Sequence, residues 1–263
     1  MSNSDLTLSG KRAVVTGGSK GIGRSVALLL AAAGAEVAIT ARHRPDLAAV
    51  AAEISALGRP SLVLSCDVTD RHQIQQMTGQ LLAEFGGVDI LVNNAGNAQS
   101  HKFLNHPDAL WDQMLAVNLT SAYLISKALL PAMVAQNWGR IINMASIAAK
   151  IGDRYLAAYA AAKHGLLGLT RSLAMEFISY DITVNAICPG YVDTPLTAAS
   201  VANIAQKTGM SQDKAREILR NVSPQKRLIQ PDEVAAVALL LAQPQSRGIT
   251  GQAINVDGGT VMA

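Results

Sequence analysis

The sequence predicts an α/β protein with a doubly wound parallel sheet, and three observations predict it. Aliphatic residues dominate a chain that is 49% hydrophobic, 4% aromatic and 16% charged, the composition of strands buried on both faces beneath helices. Seven strand-like runs alternate with amphipathic helical stretches almost to the end, which implies right-handed crossovers within one sheet. No linker, composition shift or internal repeat divides the 263 residues, so a single domain over 1–263 is expected.

The elements follow in order. "RAVVTG" reads as the first strand and leads into a helix over 21–33. "EVAIT" precedes a helix over 46–57, and "SLVLSCDV" one over 70–85. "DILVNNAG" is followed by a long helical stretch over 107–136, expected to be interrupted. "RIINMAS" leads to a helix over 155–179, and "ITVNAICPG" is the sixth strand. A helix over 232–242 precedes the last, "QAINVDGG". The one long insertion, about 191–230, lies at the carboxyl edge of the sheet, where a substrate lid is expected.

Several function classes are disfavoured. The net charge is +3 and the Lys and Arg residues are scattered rather than gathered in a stripe, so no nucleic-acid partner is expected. "MSNSDLTLSGKR" has no apolar signal core, and "VALLLAAAGAEVAIT" is broken by Gly34 and Glu36; a soluble, cytoplasmic protein with no membrane partner is expected. Cys66 and Cys188 sit within or at the ends of strand-like runs, which suits buried reduced thiols rather than a disulfide or a metal site.

"TGGSKGIG" sets Gly17, Gly21 and Gly23 between the first strand and the first helix. Glycines let a backbone turn tightly and approach a pyrophosphate, and a helix N-terminus offers free N–H groups and partial positive charge. This points to a dinucleotide. Where an acid usually holds the ribose 2′-OH of NAD, the sequence has Ala41 followed by Arg42. Arg42 with Lys20 suits a 2′-phosphate, although Arg42, His43 and Arg44 also read as a solvated turn. The expected cofactor is NADP(H), with NAD(H) as the alternative. Asp67 and Val68 close the third strand, and Asn94, Ala95 and Gly96 follow the fourth, at the ends where open sheets bind ligands. Taken alone, Asp67 also reads as a helix cap and the asparagines as a strand terminus.

"YLAAYAAAKHG" places Tyr159 and Lys163 four apart, on one helical face. A phenol titrates near about 10 in water, and an adjacent ammonium favours the phenolate, so a lowered Tyr159 is expected. Ser146 ends the fifth strand, where its hydroxyl can meet a substrate oxygen. Asn118 stands mid-helix, unfavourable unless its side chain has a task.

Together "TGGSKGIG", "NNAG", Asn118, Ser146, Tyr159, Lys163, "ICPGYVDT" and "INVDGG" resemble the short-chain dehydrogenase/reductase family over nearly the whole chain. The similarity is to its single-domain branch of 3-oxoacyl-thioester reductases and 3-hydroxybutyrate dehydrogenases. The resemblance implies a Rossmann-type fold and the catalytic set Asn118, Ser146, Tyr159 and Lys163. It implies cofactor contacts from Gly17, Ser19, Lys20, Gly21, Ile22, Gly23 and Arg42, from Asp67 and Val68 beside the adenine, and from Asn94, Ala95 and Gly96 beneath the nicotinamide ribose. Tyr159, Lys163, Pro189, Gly190, Val192 and Thr194 complete that set, with Thr194 at the carboxamide. Thr194 before Pro195 also reads as an N-cap.

In the implied reaction Tyr159 exchanges the proton, Ser146 stabilises the alkoxide, Lys163 tunes the phenol and holds the ribose, and Asn118 positions a water. Ser146, Ile147, Tyr155, Tyr159 and Tyr191 are the expected substrate contacts, with Ala98 and Leu196 extending an apolar wall. Tyr155 reads as a pocket wall or as packing under the lid. The expected substrate is a small ketone or alcohol, a 3-oxoacyl derivative such as an acyl thioester or a similar carbonyl compound. Asn97, Ala98, Ile147 and Ala148 replace the polar residues expected around a small carboxylate. Lys150 and Arg154 read either as contacts for an acidic pantetheine or carrier protein, or as solvated. Alternatives are an NAD-dependent secondary alcohol or 3-hydroxy acid dehydrogenase and a non-catalytic NADP(H) sensor or scaffold. The resemblance also implies a homotetramer.

Overall fold

In a computed structural model, which describes residues 7–262, seven parallel strands form one sheet in the order β3-β2-β1-β4-β5-β6-β7. These are β1 Arg12–Thr16, β2 Glu36–Ala41, β3 Ser61–Ser65, β4 Ile90–Asn93, β5 Trp138–Met144, β6 Asp181–Pro189 and β7 Ala253–Val256. Val14 pairs with Ala38 on one side and Leu91 on the other. The chain runs outward from β1 to β3 and then returns to β4, so strand order reverses between β1 and β4. Ligands bind such sheets at the carboxyl ends beside that reversal.

Side chains alternate between two buried layers, as a period of two requires. Ala13 and Val15 face a layer that includes Val26, Leu30 and Ala238; Val14 faces one with Met77, Leu81 and Leu129. The first layer is covered by α1 Gly21–Ala32, α2 Arg44–Ala56 and α9 Pro231–Ala242. The second is covered by α3 Arg71–Phe85, α4 Asp108–Leu115, α5 Ser121–Ala135 and α6 Ala157–Glu176. Asp70 caps α3, accepting bonds from the His72 and Gln73 N–H groups, and Gly86 ends it in a left-handed turn. The 108–135 stretch is long and apolar enough to cross a membrane by length and composition, but here Met114, Ile125, Leu129 and Met133 are buried in the protein.

The structure refines the sequence-based expectations at three places. The expected interruption of the long helical stretch over 107–136 is a π-helical turn, Ala116–Thr120, centred on Asn118. The helix expected over 155–179 spans only Ala157–Glu176. Tyr155 precedes it with φ +67°, a left-handed conformation that bulky residues rarely adopt. The insertion over 191–230 is two helices, α7 Pro195–Thr208 and α8 Gln212–Val222, sharing a small core of Val201, Ala215, Leu219 and Leu228. A parallel bridge between Val192 and Ile229 closes its base.

Candidate active site

The glycine loop leaves β1 and enters α1 beside β4. Gly17 and Gly21 have positive φ. Gly23 is fixed by close approach, since a Cβ there would lie 2.2 Å from the Gly17 carbonyl oxygen and 2.4 Å from Asn94 Nδ2. Asn94 Nδ2 donates to the carbonyls of Thr16 at 2.8 Å and Gly17 at 3.2 Å. Thr16 Oγ1 accepts from the Asn94 and Ala95 N–H groups, both at 2.9 Å. Thr16 thus joins two strand ends, a role sequence reading missed because a threonine ending a strand carries no pattern of its own. Lys20 precedes α1 without a side-chain cap, leaving the first N–H groups of that helix free. Buried Ser19 and half-buried Ile22 line the same turn. Thr194 lies directly across, its Cγ2 3.2 Å from where a Gly21 Cβ would stand, and it also caps α7 by accepting from Thr197 N–H. Pro189 ends β6, and the Gly190 N–H donates to Val256.

Asp67 does not cap α3. Its Oδ1 accepts from the Thr69 N–H and hydroxyl at 2.9 and 2.7 Å. Val68 and Thr69 line a cavity of about 290 Å³ with Arg71, Asp112 and Ala116. Arg42 is exposed and has no ion pair among the described residues. Asp46, which sequence reading passed over, lies 3.0 Å from His43 Nδ1 and 3.9 Å from Lys20 Nζ. Lys20 therefore leans on a carboxylate rather than standing with Arg42 alone. Both groups are largely solvated, so the pairing is weak.

Ser146, Tyr159 and Lys163 converge at the carboxyl end of β5. Ser146 is extended, and its Oγ accepts from the Ala148 N–H at 3.1 Å. Tyr159 and Ser146 hydrogen-bond, an interaction that lowers the phenol, but burial outweighs it and holds Tyr159 above its ordinary value; the nearby Tyr191 phenol pushes the same way. The expectation of a phenol lowered by its lysine is corrected here. Lys163 Nζ is 5.7 Å from the centre of the Tyr159 ring and donates to the Met144 carbonyl at 2.7 Å. Lys163 is itself buried, and desolvation lowers it from 10.5 to about 8.

Asn118 has its task in the π-turn. Its Nδ2 donates to the carbonyls of Asn97 at 2.8 Å and Met114 at 3.1 Å, and its Oδ1 accepts from Asn97 N–H. A Cβ on Gly96 would be 2.8 Å from Asn118 Oδ1 and 3.6 Å from Lys163 Nζ, so only glycine lets the chain pass between them. Ile147, Ala98 and Tyr191 are half-buried around this cluster, whereas Tyr155 and Leu196 are exposed. Lys150 is drawn away from the solvent role considered for it, donating to the Ala253 carbonyl at 2.9 Å.

The arrangement offers two hydroxyls hydrogen-bonded to each other, a buried cation close by, and a glycine cradle with free helix N–H groups alongside. That is chemistry suited to moving a proton to or from an alcohol oxygen next to a dinucleotide. A family model described as enoyl-(acyl carrier protein) reductase matches residues 17–261. The chain is 38% identical to D-beta-hydroxybutyrate dehydrogenase of Rhizobium meliloti (strain 1021), over 95% of this chain and 98% of that protein. It is also 38% identical to 3-oxoacyl-[acyl-carrier-protein] reductase FabG of Escherichia coli (strain K12), over 98% and 100%. A crystal structure of a single-residue variant of actinorhodin polyketide ketoreductase with NADPH superposes with a TM-score of 0.92 at 34% identity, covering 96% of this chain and 98% of that one. The glycine cradle fits a nicotinamide dinucleotide, and with these full-length similarities the chain belongs to the short-chain dehydrogenase/reductase family, as an oxidoreductase that interconverts a hydroxyl and a ketone.

Proposed function

We propose that the protein is an NADP(H)-dependent reductase of a 3-oxoacyl derivative or a similar ketone, acting through Ser146, Tyr159, Lys163 and Asn118. The observation that carries this reading is the meeting of Ser146 and Tyr159 above Lys163, beside the glycine cradle. When bound, the nicotinamide supplies the hydride or takes it back. Tyr159, kept protonated by burial, gives its proton to the developing alkoxide. The Ser146 hydroxyl donates to the same oxygen while its Oγ is steadied by the Ala148 N–H. Lys163 holds positive charge under the site below about pH 8, and Asn118 pins the backbone at Asn97 so that 96–98 stays clear of the ammonium.

The NADP(H) preference rests on exposed Arg42 standing where an acid would hold a ribose. It agrees with the NADPH in the crystal structure of the actinorhodin ketoreductase. Asp46 favours a second reading, an NAD(H)-dependent dehydrogenase, because its carboxylate lies within the basic turn and would oppose a 2′-phosphate. Following NADPH and NADH consumption with a panel of ketones separates the two. We expect NADPH to be preferred and Arg42→Ala to erase the preference; a strong NADH preference that survives Arg42→Ala overturns it. A homotetramer in the cytoplasm belongs to the same proposal. Half-exposed Trp111 and Tyr123 on α4 and α5, with exposed Met175 on α6, support association along those helices, and light scattering in solution tests it.

A further inference from the structure

Four buried polar side chains, one from each of four elements, lie between two apolar clusters on the α5–α6 face of the sheet. They are Asn93 of β4, Asn143 of β5, Ser126 of α5 and Thr170 of α6, none more than 5% exposed. Toward the amino end of the strands Leu91, Ile141 and Ala174 belong to one cluster; toward the carboxyl end Ala122, Ala145 and Leu166 belong to the other. Asn93 and Asn143 face each other in the β4–β5 register. Asn93 Nδ2 donates to Asn143 Oδ1 at 2.9 Å and to Ser126 Oγ at 3.1 Å. Asn143 Nδ2 donates to Thr170 Oγ1 at 2.9 Å, and Thr170 Oγ1 donates to the Leu166 carbonyl at 2.7 Å. The donors run one way, from the sheet into the backbone of α6.

Such buried bonds stabilise a fold little in net terms, and apolar side chains of the same shape often serve as well. What a directional bond adds is register. Helix α6 buries Ala158, Ala162 and Ala174, with Leu166 and Leu167 as the large apolar residues of that face. Small side chains make a smooth surface, and apolar contact is non-directional. A slide of one residue, about 1.5 Å, leaves much of that contact intact. The same slide breaks the bond between Asn143 and Thr170, which weakens steeply with misalignment and strands buried polar groups when lost.

This helix and strand also carry the reacting groups. Lys163 lies two turns before Thr170 on the same face and donates to the carbonyl of Met144, the residue after Asn143. Tyr159, about one turn further on, meets Ser146, which continues β5 past Met144. Of these polar contacts between α6 and β5, the one between Asn143 and Thr170 is remote from the reacting atoms. We infer that Asn143 and Thr170 are positioning residues for the reaction: their hydrogen bond fixes the axial register of α6 against β5, and so sets Tyr159 and Lys163 against Ser146. This rests on the reading of those three as the reacting set. Misplacement by about 1 Å costs on the order of a hundredfold in rate, whereas the glycine cradle, on β1 and α1, is left untouched.

The test measures kcat, KM, NADPH affinity by fluorescence titration and the denaturant midpoint. In an Asn143→Leu, Thr170→Val double variant both partners become apolar at nearly the same volume, and Asn93 keeps Ser126, so the midpoint should hold or rise. Its kcat should fall about tenfold to a hundredfold, with NADPH affinity within about threefold of the natural protein. Thr170→Ser loses a methyl but keeps the bond; its midpoint should drop while kcat stays within about threefold. Stability and rate then rank the two variants in opposite order, which a merely structural role does not produce. An unchanged kcat in the double variant overturns the inference, and so does a kcat that follows the midpoint across both. Should the double variant fail to fold, Thr170→Ala against Thr170→Ser decides: both lack the methyl, and only the first loses the bond. A kcat at least about tenfold lower in Thr170→Ala is expected, and equal values overturn the inference. A natural protein that turns over no ketone with either cofactor, or full turnover in Tyr159→Phe, instead defeats the reading of the site, so the two failures are distinct.

Discussion

At the floor of the cleft, contacts are made by backbone and short buried side chains: Asn94 to the carbonyls of Thr16 and Gly17, Thr16 to two N–H groups, Gly23 flush against Gly17. At the roof, the two-helix insertion reaches the rest of the protein through Asn203 and Lys207, which donate to Ser100. Within the insertion, half-buried Arg216 donates to both carboxylate oxygens of Asp193 at 2.8 and 2.7 Å. The contrast teaches that the dinucleotide half is preformed, whereas the substrate half is held by contacts weak enough to exchange. Short buried bonds resist opening because an unpaired buried group is costly, while exposed ion pairs are screened and contribute little.

Four experiments press on this contrast. The largest effect belongs to Tyr159, where floor and roof meet: Tyr159→Phe should cut turnover about a hundredfold or more, with cofactor affinity in a fluorescence titration nearly unchanged. Tyr155→Phe should be mild; the reverse ranking would place the reaction elsewhere. Next comes the floor. Gly23→Ala drives a methyl into the Gly17 carbonyl and should cost about 1–3 kcal/mol, read as about a fivefold or greater loss of cofactor affinity; unaltered binding would mean that the loop is not preformed.

The third concerns the buried ammonium between the halves. Between about pH 8 and 10.5 the unfolded chain binds more protons at Lys163 than the folded one, so this group's penalty is full below about 8 and is relieved as pH rises. Lys163→Met should therefore abolish turnover yet stabilise the fold at neutral pH by on the order of 1–2 kcal/mol, after allowing for the lost bond to Met144. Denaturant unfolding measures it, and a destabilised variant would contradict the assigned penalty. Smallest is the roof. Arg216→Ala removes a pair whose side chains are 42% and 39% exposed, and should change stability by less than about 1 kcal/mol while raising KM for the ketone. A large fall in stability would show the insertion to be part of the rigid frame.

The sheet and its order of elements are legible because alternating strands and amphipathic helices repeat a local pattern. Gly17, Gly21 and Gly23, or Tyr159 and Lys163, are legible because a turn and a helical period fix their spacing. Tyr155 misleads for the same reason: it continues the spacing of four, yet the helix begins at Ala157, held off by a hydrogen bond to His101 on a distant loop. Asp46 and Thr16 carry no motif, and their importance comes from partners on other elements.

The sequence by itself determined the doubly wound sheet, the cradle and the spacing of the reactive side chains, since each follows from interactions within a few residues of the chain. Only the tertiary structure decided the protonation balance of Tyr159 and Lys163 and the carboxylate beside Lys20. Desolvation, charge pairing and exposure depend on which distant segments pack together, and no local spacing encodes them.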